Sequence, residues 1–149
     1  MKLLKSKVDE IKVSLRRTDI PRAKIGQSND AYEFLKQLYA EETIELFEQV
    51  IVLYLNRANT VVSWQLFAIG GIDGTIIDIR LIHSTALKTA ANAVILSHNH
   101  PSGNTSPSHK DIEVTRRLKD SLLISEITLL DHIIVTKVGY CSLADEGNL

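Results

Sequence analysis

Residues 93–103 read AVILSHNHPSG and join an apolar run to two histidines and a turn. The apolar run at 93–96 is typical of a buried strand. Alternate side chains of a strand point to the same face, so His98 and His100 are expected to project together. A proline and a glycine then end the strand and turn the chain. The rest of the sequence is interpreted outward from these two imidazoles.

A predicted helix begins just after the turn. Residues 107–111 read PSHKD, with Ser108 in the N-cap position and Asp111 three residues later. The first helical turn can bring this carboxylate back toward the imidazoles. Two imidazole nitrogens and one carboxylate oxygen, with a fourth position left for water, form the ligand set of a catalytic zinc. We therefore predict a Zn²⁺ site at His98, His100 and Asp111. Taken singly, each motif is also compatible with a structural histidine pair or a plain capping box.

These motifs resemble the signature of the JAB/JAMM (MPN-type) metalloproteins, in which His-x-His-Pro precedes Ser-x-x-Asp. The strings HNHPSG at 98–103, DHIIV at 131–135 and YCS at 140–142 are similar to the RadC-type bacterial branch. The resemblance runs from about Glu48 to the C-terminus. It implies an α-β-α sandwich with a curved mixed β-sheet, the JAB/MPN, cytidine-deaminase-like fold, and a RadC-like JAB domain over residues 28–149.

The order of the predicted elements independently indicates an α/β fold, because strands and helices alternate. Strands are predicted at 47–55, 60–69 and 93–97, with β-rich segments at 124–136 and 140–143. Helices are predicted at 28–39, 78–91 and 108–122. Residues 1–27 are predicted to be a basic leader with a first strand near 8–15. The glycine-rich segment at 70–74 is interpreted as a source of backbone freedom near the site.

Composition is that of an ordinary globular domain, with 149 residues, 44% hydrophobic and 23% charged. No apolar run is long enough to span a bilayer, and the N-terminus has no signal-peptide core. Cys141 is the single cysteine, which excludes an intrachain disulfide and a cysteine-based zinc site. We therefore expect a cytoplasmic protein with no membrane contact. The sequence leaves the oligomeric state open.

Charge is distributed unevenly along the chain. Residues 1–25 carry eight Lys and Arg against three acidic residues, a balance of +5, and the remainder carries −6. The basic N-terminus could make a weak contact with DNA, or its lysines could guard an edge strand. No helix-hairpin-helix pattern of the kind that precedes the JAB domain in longer RadC-like proteins is present, which weakens the DNA interpretation. We expect a stand-alone JAB domain with a short leader.

Hydrolysis at a zinc site also needs an acid/base group, since zinc lowers the pKa of its water to about 7 but does not carry the proton away. Glu48 begins the most apolar strand and matches the general acid/base glutamate of the JAMM pattern, so it is the predicted catalytic residue. Glu41, Glu42 and Glu45 are interpreted as solvated charges. Ser108 is expected to cap its helix, worth about 1 kcal/mol. The resemblance also implies that Ser108 binds an oxyanion, and one hydroxyl is not expected to do both at once.

Three further polar residues are assigned outside the ligand set. His109 and His132 are the competing candidates for ligands. His109 follows the cap and is expected to be exposed or to contact a ligand side chain. Asp131 is a candidate acceptor for a ligand imidazole. For His132 we expect a structural hydrogen bond.

The predicted function is a zinc-dependent hydrolase of the JAMM type, a peptidase or isopeptidase acting on a peptide or protein conjugate. The alternative is a DNA-repair-associated RadC-like protein, either a metal-dependent nuclease or a DNA-binding protein. Phosphodiester cleavage often uses two metals, and the acidic body gives no support to extended phosphate binding. A zinc deaminase would need a Pro-Cys-x-x-Cys motif, which a single cysteine excludes. The complete set of ligands and glutamate argues against a non-catalytic scaffold.

Overall fold

The computed structural model describes residues 10–70 and 76–149. The helices are α1 (Ser28–Lys36), α2 (Ile79–Lys88) and α3 (His109–Leu123), and the strands are β1 (Gln49–Leu55), β2 (Val61–Ile69), β3 (Ala93–Asn99), β4 (Thr128–Val135) and β5 (Tyr140–Ser142). Over these ranges the strands form one five-stranded sheet in the order β2-β1-β3-β4-β5. Strands β3 and β4 are parallel, and the other pairs are antiparallel. The predicted α/β fold with a mixed sheet is confirmed.

Helices cover both faces of the sheet, which explains why every residue of β1 and β3 is buried. Alternate residues of β1 contribute to two separate cores. Ile51, Leu53 and Leu55 pack on the α1 face, whereas Val50, Val52 and Tyr54 pack on the face covered by α2 and α3. The chain is therefore an α-β-α sandwich.

The N-terminal predictions need correction. Residues 10–15 are exposed and form no strand, and the remainder of the predicted strand lies outside the described residues. An isolated short strand has little stability without a partner, and the described part of the leader pairs only through a bridge between Lys24 and Thr60. Helix α1 begins at Ser28 but has Gln27 as its N-cap, and it ends at Lys36 rather than at 39.

Two other features of the fold bear on the site. Helix α3 connects β3 to β4, so the carboxyl end of β3 and the start of α3 lie at the same edge of the sheet. Of the glycine-rich segment at 70–74, residues 71–74 lie outside the described ranges. Of the helices described, none has the length and hydropathy needed to cross a bilayer.

Candidate metal centre

Three side chains meet at the carboxyl end of β3. His98 is the penultimate residue of β3, His100 follows the strand, and Asp111 lies in the first turn of α3. One potential ligand atom from each lies within 4.8 Å of the others. The two histidine Nε2 atoms are 2.9 Å apart, and those of His98 and His100 lie 3.3 and 3.8 Å from the Asp111 carboxylate oxygens. The structure thus brings together the three residues predicted as ligands.

Hydrogen bonds fix which nitrogen of each histidine is free. The Nδ1 atom of His100 lies 2.6 Å from the carbonyl oxygen of Asn104, to which it must donate. His98 Nδ1 lies 2.8 Å from Nε2 of His132. The Nδ1 atom of His132 lies 2.5 Å from the hydroxyl of Thr115, and that hydroxyl donates to the carbonyl of Asp111. Each imidazole in this series donates through Nδ1, so the Nε2 atoms of His98 and His100 carry lone pairs.

The donor set fits a metal ion. Two lone pairs directed at each other over 2.9 Å repel, so a proton or a metal ion is needed between them. A tetrahedral zinc with bonds of about 2.0–2.1 Å would separate its ligand atoms by roughly 3.3 Å, close to the distances between these three side chains. Two neutral imidazole nitrogens and one carboxylate oxygen suit a divalent ion of this kind. His98, His100 and Asp111 could therefore hold a metal ion.

Burial keeps His98 and His132 neutral. It lowers the pKa of His98 to about 4, although the charge of Asp111 acts in the opposite direction. Burial also lowers the pKa of His132 well below the usual 6.5. A neutral imidazole is the form that binds a metal.

The start of α3 orients the third ligand. The backbone N–H of Ser108 donates to Oδ2 of Asp111 at 2.6 Å, and the backbone N–H of Asp111 donates to the Ser108 hydroxyl oxygen at 3.2 Å. This capping box follows from Ser-x-x-Asp, as predicted. The cap uses the Ser108 oxygen only as an acceptor, so it leaves the hydroxyl hydrogen available as a donor. The cap therefore leaves the Ser108 hydroxyl able to donate a further hydrogen bond.

Glu48 immediately precedes β1 and is half-buried. Val50 pairs with His98, and continuing this antiparallel register by two residues places Glu48 beside His100. Burial raises the pKa of Glu48, the Asp111 charge raises it further, and His100 lowers it. The backbone carbonyl of Glu48 accepts a hydrogen bond from the Gly70 N–H at 2.7 Å. Glu41, Glu42 and Glu45 are exposed, in keeping with their interpretation as solvated charges.

Asn99 anchors the segment that carries Glu48, a role the sequence analysis missed. Its side-chain amide donates to the carbonyls of Ile44 and Phe47 at 2.7 and 3.0 Å. Its oxygen accepts from the Gln49 N–H at 2.7 Å. Asn99 is fully buried and lies between the two ligand histidines, on the opposite face of β3. The strand alternation indicated that face, but nothing local indicated the partner.

The prediction for Asp131 is wrong. Its carboxylate accepts from the Ser142 hydroxyl, the Ala144 N–H and the backbone N–H of His132, and it contacts no ligand imidazole. Neighbouring residues of a strand point to opposite faces, so His132 reaches the α3 face and Asp131 the α1 face. His132, for which a structural hydrogen bond was expected, is the residue that contacts a ligand. His109 is exposed, as predicted.

Comparison with known proteins agrees with this geometry. The model of the RadC-like JAB domain matches residues 25–148. The chain belongs to the RadC-like JAB domain family. The match includes α1, which lies before the stretch on which the resemblance was first noted.

Relatives of this JAB domain occur in distant bacteria. It is 40% identical to a UPF0758 protein of Flavobacterium johnsoniae and 40% identical to one of Syntrophomonas wolfei, each over 124 residues, 83% of this chain and 53% of the relative. It is 37% identical over 128 residues to a UPF0758 protein of Aquifex aeolicus, 86% of this chain and 54% of that protein. The chain therefore spans about half the length of the curated relatives it matches. Their names state no enzymatic activity, and the JAB family is compatible with a hydrolase.

Proposed function

We propose that this JAB domain is a zinc-dependent hydrolase that cleaves amide bonds in peptides or protein conjugates. The observation that carries the proposal is the meeting of three ligand atoms within 4.8 Å beside the half-buried carboxyl group of Glu48. A zinc ion held by His98, His100 and Asp111 would supply a Lewis acid that polarises a carbonyl and lowers the pKa of water.

Glu48 is the proposed acid/base. A carboxyl group whose pKa is raised toward neutrality can accept a proton from water and later donate it to the leaving amine. Burial and the nearby Asp111 charge raise the pKa of Glu48 in this sense. The Gly70 N–H and the amide of Asn99 hold the backbone on either side of Glu48, which restricts where its carboxyl group can lie.

Ser108 is the proposed oxyanion donor. Its oxygen already accepts the N–H of Asp111, which orients the hydroxyl and leaves its hydrogen free for a negatively charged oxygen. A donor held in advance at the position where charge develops stabilises the transition state. Asp111 is held by the same capping box, so one helix start supports both a ligand and a donor.

Amide hydrolysis is favoured over phosphodiester cleavage by the composition of the site. Among the residues described, His98, His100 and Asp111 form the one group found that could hold a metal. One metal with a single acid/base suffices for amide hydrolysis, whereas phosphodiester cleavage often uses two metals. We also propose that the protein is cytoplasmic and that its basic N-terminus contacts DNA weakly.

The test is a screen of the zinc-loaded protein against peptides, ubiquitin-like conjugates and DNA. We expect hydrolysis of an amide substrate that a chelator and Glu48→Gln both abolish. Glu45→Gln is the matched control, because Glu45 is exposed and pairs with Lys137 at 3.1 Å. DNA cleavage that depends on Glu48, with no amide hydrolysis, would favour the nuclease alternative. Any DNA binding should be weak, sensitive to salt and lost when residues 1–25 are deleted.

A further inference from the structure

We infer that His132 and Thr115 are positioning residues that hold His98 in the tautomer able to bind a metal ion. The inference rests on the metal site of the proposed function but not on the reaction. Both side chains are fully buried, and neither belongs to the predicted ligand set.

The hydrogen bonds form a single series that begins and ends at ligands. The Thr115 hydroxyl lies 2.5 Å from the backbone carbonyl of Asp111 and 2.5 Å from Nδ1 of His132. The Nε2 atom of His132 then lies 2.8 Å from Nδ1 of His98. The series therefore connects the backbone of one ligand to the ring of another, across α3, β4 and β3.

The series allows one direction of donation. A carbonyl can only accept, so the Thr115 hydroxyl gives its single hydrogen to Asp111. The hydroxyl oxygen must then accept from His132 Nδ1–H, which leaves His132 Nε2 as an acceptor. His98 in turn donates through Nδ1 and keeps the lone pair on Nε2, the atom that faces His100 and Asp111.

Reversing the direction of donation in this series would place a hydrogen on Nε2 of His98, the nitrogen that faces the metal site. If the Thr115 hydroxyl were absent, His132 could carry its hydrogen on Nε2. His98 would then have to accept through Nδ1 and carry its own hydrogen on Nε2, where it blocks a metal ion. Water is excluded from all three groups by burial, so it cannot substitute for the lost hydroxyl.

Paired substitutions at Thr115 test the inference at nearly constant volume. We expect Thr115→Val to weaken Zn²⁺ binding about 10- to 100-fold, the usual effect of removing a hydrogen-bond partner of a ligand histidine. Thr115→Ser keeps the hydroxyl and should bind zinc within about threefold of wild type by the same reasoning. His132→Phe should weaken binding at least as much as Thr115→Val. Competition with a chromophoric chelator measures each affinity.

His83→Phe is the matched control. His83 on α2 bridges the hydroxyl of Ser121 in α3 and that of Ser125 just after α3, at 2.8 and 2.9 Å, but contacts no predicted ligand. It should leave zinc affinity unchanged. Circular dichroism checks the fold of each variant, and the Thr115 pair decides the matter if His132→Phe does not fold.

Nitrogen-15 NMR of the five histidines reports the tautomers directly. We expect His98 and His132 to carry hydrogen on Nδ1 in wild type and His98 to change in Thr115→Val. Equal zinc affinity in wild type and Thr115→Val would overturn the inference and leave the proposed function intact. If wild type binds no zinc, the proposed function fails, whereas the NMR tautomers of the metal-free protein still decide this inference. A hydrogen on Nε2 of His132 would refute it.

Discussion

The two faces of the sheet carry buried polar networks that differ in how they end. On the α1 face, Asn99 uses its whole amide on the backbone around β1, and Asp131 accepts three hydrogen bonds from its surroundings. On the α3 face, the series from Thr115 ends at His98, whose Nε2 lone pair faces the Nε2 atom of His100. The α1-face network is closed, because its polar atoms bond to other protein atoms, and it stabilises the fold. The α3-face network is open, because it leaves nitrogen lone pairs available to a ligand.

The largest change in catalytic rate is expected from Glu48→Gln, which alters the α3 face with its open network. Loss of an acid/base typically reduces the rate about 10²- to 10⁴-fold. Because Glu48 is not a predicted ligand, the variant should retain its zinc and its unfolding free energy. Steady-state kinetics and metal analysis of the same sample measure both. An undiminished rate would show that Glu48 is not the acid/base. Only the predicted metal ligands would then keep a role on the α3 face.

Ser108→Ala separates catalysis from capping. Loss of an oxyanion donor typically reduces the rate about 10²- to 10³-fold, whereas loss of an N-cap costs about 1 kcal/mol of stability. The variant should therefore lose activity out of proportion to its stability. Kinetics and urea denaturation of the same preparation provide the comparison. A stability loss with an unchanged rate would leave Ser108 as a cap alone.

Asn99→Ala tests the closed side. Three buried hydrogen bonds are lost, each worth about 1 kcal/mol, so we expect the free energy of unfolding to fall by roughly 2–4 kcal/mol. Asn92→Ala is the control, since Asn92 is exposed and should change it by less than about 0.5 kcal/mol. Urea denaturation followed by the single Trp64 gives both values. If the two variants were equally stable, the distinction between closed and open networks would be lost.

Acid should change the contributions of His98 and Asp131 to stability in opposite directions. An unfolded histidine binds a proton near pH 6.5, whereas folded His98 does so only near pH 4. Between these values unfolding takes up a proton, so the free energy of unfolding of chelator-treated protein falls as the pH falls from about 6.5 toward 4. Burial raises the pKa of Asp131. The contribution of that carboxyl group to the free energy of unfolding therefore falls as the pH rises above about 4.

Denaturation of the metal-free protein at several pH values measures the sum of the His98 and Asp131 contributions to the free energy of unfolding. Asp131→Asn removes the opposing contribution and should steepen the loss below pH 6.5. A profile of Asp131→Asn that is flat between pH 6.5 and 4.5 contradicts the neutral, buried state of His98.

The sequence predicted the parts of the site that are close along the chain. Strand β3, the start of α3 and the three ligands follow from the spacing between His98 and Asp111, because strand period and helix capping act locally. Glu48 was found through family resemblance, and the register of β1 against β3 explains its position. Asn99 was missed, and the contact of His132 with His98 was not foreseen, because their partners lie on other elements, 52 and 34 residues away.

The errors have identifiable physical causes. Alternation along β4 already implied that Asp131 and His132 face opposite sides, so only one could reach His98, and the wrong one was chosen. The first strand was predicted from apolar residues at 8, 11, 13 and 15, but a strand needs a partner as well as a pattern. The described part of that segment has none.

Metal content is the most direct test of the central claim that two imidazoles and one carboxylate hold a single ion. Wild type and His98→Ala/His100→Ala would be purified, equilibrated with zinc, freed of excess metal and analysed by mass spectrometry. We expect about one zinc per chain in wild type and none in the double variant. Equal zinc in the two proteins, or none in wild type, would contradict it.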